Sequence, residues 1–144
     1  QRLTDKVPLK SGVAGVIKRL AALNTPMAVA TSSQGKKARD ILHRVGLGTH
    51  MIAITGGDEV KRGKPAPDVY LASVEKLVLC SGIEGVDDCV AFEDSEVGVN
   101  AARAAGLRVI QIPDLVPAAK PPTPPTHLIA DTLETAVGWL NIDI

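Results

Sequence analysis

A chain of 144 residues with 45% apolar content is long enough to bury one hydrophobic core. Its 16 basic and 16 acidic residues cancel, so no overall field favours nucleic acid or an anionic membrane, and no apolar run approaches a membrane span. Two cysteines, Cys80 and Cys89, are too few for a disulfide framework, and no signal-peptide pattern opens the chain, so a reducing cytoplasm is the expected location.

Residues 1–10 are polar and without clear periodicity. Val13, Val16, Ile17, Leu20 and Leu23 then recur at helical spacing, with Ser11 placed to cap the helix and Asn24 with Pro26 to stop it. Met27 to Ala30 reads as a short strand ending in the hydroxyl cluster Thr31, Ser32 and Ser33. Lys36 to Val45 is a second helix, packing through Ile41, Leu42 and Val45, and Met51 to Thr55 is a second strand. The segment 56–67, GGDEVKRGKPAP, is a loop, because its glycines and prolines oppose regular structure. Helical spacing resumes over Asp68 to Leu79 through Tyr70, Leu71, Val74 and Leu77.

Cys89 to Phe92 is an apolar run with the composition of a buried strand, followed at once by Glu93 and Asp94. Ser95 can cap the helix that follows and Gly106 can close it. Arg108 to Ile112 is another strand. The segment 113–126 holds six of the ten prolines and is a surface loop. Leu128 to Ala130 is a last short strand, and Asp131 with Glu134 has capping-box spacing for a terminal helix to about Leu140. The alternation predicts an α/β fold, a three-layer sandwich of Rossmann-like form with a mainly parallel sheet and helices on both faces.

In a parallel sheet the strand ends carrying Thr31 and Ser32, Lys64, and Glu93 with Asp94 gather at one edge. Hydroxyl donors, an ammonium and carboxylates suited to Mg²⁺ are the groups that phosphoryl chemistry uses. Each has a plainer reading: the hydroxyls and Asp94 can cap helices, and Lys64 is one of three neighbouring basic loop residues with Lys61 and Arg62. Their conjunction in this order favours the chemical reading.

On these residues the sequence resembles the haloacid dehalogenase-like superfamily, in its branch of β-phosphoglucomutase-like and pseudouridine-5′-phosphatase-like proteins. Ala28 to Ser33, AVATSS, is similar to that family's second motif, Gly63 to Tyr70, GKPAPDVY, to the third, and Ala91 to Gly106 to the fourth. The resemblance implies Thr31, Ser32 and Lys64 as phosphate-binding residues. It also implies Asp94 as a direct Mg²⁺ ligand, with Glu93 holding metal-bound water or the lysine. The implied activity is Mg²⁺-dependent hydrolysis of small phosphorylated metabolites through an aspartyl-phosphate. A β-phosphoglucomutase-type phosphotransferase and a noncatalytic binding module are the alternatives.

The family's Asp-x-Asp motif, which supplies nucleophile and general acid, has no counterpart on an apolar strand here. Residues 1–10 are therefore expected to be the remnant of a cap domain and its return linker. Residues 11–144 would be the carboxyl-terminal portion of the core, lacking its first, central strand and inactive alone. Two inner sheet edges would be left unpaired. They are expected to close onto each other, or to be filled by a second copy in a homodimer or by a bound amino-terminal fragment.

Overall fold

A computed structural model describes residues 12–112, 128–129 and 135. The elements are α1 (Val13–Ala22), β1 (Ala28–Ala30), α2 (Gly35–Arg44), β2 (Ala53–Thr55), α3 (Asp68–Ser81), β3 (Val90–Glu93), α4 (Glu96–Ala104), β4 (Arg108–Gln111) and β5 (Leu128–Ile129). Short 3-10 turns lie at Gly48–His50, Gly57–Glu59 and Val86–Asp88. The expectations for Ser11, the proline-rich segment and the terminal helix fall outside the described residues, apart from the helical Thr135.

Helix boundaries follow local chemistry. The α1 helix stops where Asn24 takes a left-handed φ of 58° ahead of Pro26. Ser95 caps α4 as expected, its hydroxyl accepting the Gly98 N–H at 3.1 Å, and Gly106 at φ 88° turns the chain out of that helix. The loop 56–67 is less irregular than its composition indicates. Gly57–Glu59 forms a 3-10 turn, with the Glu59 carboxylate accepting the Gly56 N–H at 2.6 Å.

All observed strand pairs are parallel, in the orders β1-β2 and β3-β4-β5. Strand alternation sorts the side chains into layers. Ala91 and Val109 pack with Val69, Tyr70 and Val74 of α3 and Val99, Ala101 and Ala102 of α4. On the other face, Val90 and Phe92 pack with Ile110 and Ile112, and Phe92 also meets Val16 and Leu20 of α1. The sheet therefore lies between α1 and the α3–α4 layer, an α/β three-layer arrangement.

The two half-sheets do not pair with one another, so the expected closure of β1 onto β3 does not occur. A cavity of about 760 Å³ separates them, lined by Ala28, Val29 and Ala30 on one side and Val90, Ala91 and Phe92 on the other. Helix α3 spans the gap, packing on β1 and β2 and reaching α4. Its Val74 and Ser73 line the cavity floor, where side-chain packing resists collapse. Backbone direction is fixed by the outer ladders. Met27 and Thr31 bond toward β2, and the Glu93 carbonyl accepts from Ile112, so alternation turns the backbone groups of Ala28, Ala30, Val90 and Phe92 into the cavity.

Candidate functional site

The carboxyl ends of β1 and β3 and the loop after β2 meet at the mouth of this cavity. β3 runs one residue further than its apolar run, so Glu93 is a strand residue on the same face as Ala91. That parity sends its carboxylate toward α3, and leaves the next residue, Asp94, exposed. The two acidic residues, adjacent in sequence, therefore occupy different environments.

Lys64 crosses the mouth. Its ammonium donates to the Ala30 carbonyl at 3.1 Å and to Glu93 Oε2 at 2.5 Å, and both side chains of this ion pair are nearly buried, at 9% and 8% exposure. The Tyr70 hydroxyl donates to the same Glu93 oxygen, and the Lys64 ammonium lies 5.1 Å from the Tyr70 ring centre. Burial, followed by the Glu93 charge, pushes the Tyr70 phenol far above its ordinary range, so it remains a proton donor at neutral pH. Three protons on the ammonium and two contacts leave one N–H of Lys64 for another acceptor.

Thr31 follows the Ala30 carbonyl that Lys64 holds. Its Oγ1 accepts the Ser33 N–H at 3.1 Å, which leaves its own hydroxyl proton to donate elsewhere. Ser32 is exposed. The loop that carries both is laced to the loop after β2: the Gly57 N–H donates to the Ser33 carbonyl and the Gly35 N–H to Asp58 Oδ1, each at 2.9 Å. Asp58 thus takes the first free N–H of α2. A further network, Lys76 to Thr55 Oγ1 at 2.9 Å and to Glu59 Oε1 at 3.3 Å, stiffens the β2 end.

The structure thus brings Lys64 and Glu93 into direct contact beside Thr31 and leaves Ser32 and Asp94 open to solvent. Sequence reasoning treated Tyr70 as a packing residue. Its one readable signal is that it is the chain's only tyrosine, on a helix face otherwise aliphatic or small. Among the described residues no three His, Cys, Asp or Glu side chains converge as a metal centre. Asp94, an exposed carboxylate next to the Lys64–Glu93 pair, fits an oxygen-seeking cation held mostly by water and a bound anion. Cys89 lines the cavity, but burial and then Asp88 push its thiol up, away from the thiolate a nucleophile needs. No helix among the described residues is long and apolar enough to cross a membrane.

The chain is similar to known proteins. The chain is 38% identical over 87 residues to the fructose-1-phosphate phosphatase YqaB of Escherichia coli, a match covering 60% of this chain and 44% of that protein. It is 35% identical over 117 residues to the "Probable pseudouridine-5′-phosphatase" of Drosophila melanogaster, covering 78% of this chain and 49% of that protein. The crystal structure of CbbY from Rhodobacter sphaeroides in complex with phosphate superimposes with a TM-score of 0.75 at 25% identity, covering 90% of this chain and 57% of that one. The chain spans about half the length of these relatives. The pattern of the haloacid dehalogenase-like hydrolases matches residues 1–112, and on that match the chain belongs to this hydrolase family.

Proposed function

We propose that this chain forms the phosphate- and cation-binding part of a Mg²⁺-dependent phosphomonoesterase acting on small phosphorylated metabolites. One observation carries the reading: a nearly buried ammonium, Lys64, is pinned between Ala30 and Glu93 with one N–H unspent, beside the Thr31 hydroxyl. Thr31 and Ser32 would donate to phosphoryl oxygens while Lys64 offsets their charge, the fixed donors that phosphoryl transfer relies on. Glu93, committed to Lys64 and Tyr70, acts chiefly on the lysine. Asp94, exposed next to it, is the residue that would ligate the cation. When bound, Mg²⁺ would bridge protein and phosphate and neutralise developing negative charge. A β-phosphoglucomutase-type phosphotransferase would use the same residues, and the fate of the phosphoryl group, water or a second hydroxyl, separates the two.

Inorganic phosphate tests the site directly. Titration followed by ³¹P NMR, with and without Mg²⁺, is expected to show saturable binding that weakens roughly tenfold or more in Lys64→Met, the cost of losing a charge-assisted hydrogen bond. With so few carboxylates, Mg²⁺ alone is expected to bind weakly. Equal phosphate affinity in wild type and Lys64→Met would overturn this assignment.

A further inference from the structure

Glu93 is held from three sides. Lys64 and Tyr70 both donate to its Oε2, and beneath its other oxygen lies Gly98, where a Cβ would stand 1.9 Å from Oε1. Tyr70 also presents its ring to the Lys64 ammonium at 5.1 Å. Without the hydroxyl, the carboxylate keeps a single partner and can rotate about its last torsion, a soft one for glutamate. Rotation would carry Lys64 away from the Ala30 carbonyl and the adjoining Thr31, because the ammonium must follow its counter-charge in a nearly buried setting.

We infer that Tyr70 is a positioning residue, whose hydroxyl fixes the Glu93 carboxylate and through it aims the free N–H of Lys64 at the bound anion. This inference rests on the phosphate-site reading for its function, but the underlying contact can be tested without it. Tyr70 is the only tyrosine in the chain, so the difference spectrum against Tyr70→Phe in the same background separates its near-ultraviolet band from that of the single tryptophan and reports this one hydroxyl. A phenol donating to a carboxylate absorbs to the red of one donating to a neutral acceptor.

The experiment is a double-mutant cycle of Tyr70→Phe and Glu93→Gln, read by titration with inorganic phosphate, together with the tyrosine band of wild type and Glu93→Gln. Tyr70→Phe is expected to weaken phosphate binding roughly tenfold in the wild-type background, and less than about twofold once Glu93 is Gln. The tyrosine band is expected to move to the blue in Glu93→Gln. A purely packing role would make the two effects additive, and additive losses, or no loss in Tyr70→Phe, would overturn the inference. If wild type binds no phosphate, the proposed function fails. The tyrosine band then still decides the contact, an unmoved band overturning it and a blue shift supporting it.

Discussion

Glycine positions in this chain separate residues that matter to the site from those that do not. At Gly98 an added methyl would collide with the Glu93 carboxylate, at 1.9 Å from Oε1 and 2.2 Å from Cδ. Gly98→Ala is therefore expected to expel Glu93 from the Lys64 pair and cost roughly 2–4 kcal/mol, as when a buried ion pair is broken. Gly15 lies exposed within α1 with nothing within 4 Å of its would-be Cβ, so Gly15→Ala is expected to stabilise by about 0.5–1 kcal/mol. Urea midpoints of the two variants should move in opposite directions, and shifts of the same sign would refute the contrast. At this scale Lys64, Glu93 and Thr31 were legible as candidates from residue type and order. The resemblance divided the work between Glu93 and Asp94 but left Glu93 either water or the lysine as its partner; its contact with Lys64 depends on β3 running one residue past its apolar stretch. The sequence could not show that Tyr70 reaches Glu93, a contact between residues 23 positions apart.

The elements were legible in order and kind from hydrophobic spacing and from Ser95, Gly106 and Asn24, whose capping and turn chemistry is local. The segment after β2 is the expected loop apart from its 3-10 turn at Gly57–Glu59, and what spacing does not reveal is the long-range bonds that order it. Gly56 and Gly57 sit where a Cβ would meet the Gly35 nitrogen at 2.1 Å and the Ser32 carbonyl oxygen at 2.6 Å. These glycines therefore permit close approach of two loops and do not merely interrupt regular structure. Glu59 anchors the same turn. The Gly56 N–H, with help from Lys76, holds its carboxyl below the ordinary 4.5. A depressed folded-state value means that the anchor contributes fully above that pH and is lost as pH falls through the folded value. The stability gap between wild type and Glu59→Gln is expected to be open at neutral pH and to shrink below about 4.5, as measured by urea midpoints across pH. A gap that widens on acidification would contradict this role.

For the molecule as a whole, the division into two half-sheets outweighs any single contact. The sequence foretold unpaired inner edges, yet the edges stay apart. Closure would have to displace the α3 packing under both halves, and Lys64 already braces Ala30 against Glu93. An extended segment that entered the cavity would pair both inner edges. The family's Asp-x-Asp motif has no counterpart on an apolar strand in these 144 residues, so on that resemblance they are expected not to hydrolyse an aryl phosphate above the buffer rate. Mg²⁺-dependent release of phosphate by the purified 144-residue chain would sink that expectation.

The alternating backbone direction of β1 and β3 has a signature in hydrogen–deuterium exchange. The amides of Val29, Thr31, Ala91 and Glu93 belong to the outer ladders, while those of Ala28, Ala30, Val90 and Phe92 face the cavity. Within each strand, exchange should therefore alternate residue by residue between slow and fast. A segment entering the cavity would slow the fast set and leave the slow set largely unchanged. Should a second copy fill that role, the fast amides would become protected as protein concentration rises. Uniform slow exchange in dilute monomer would show that the inner edges are paired after all.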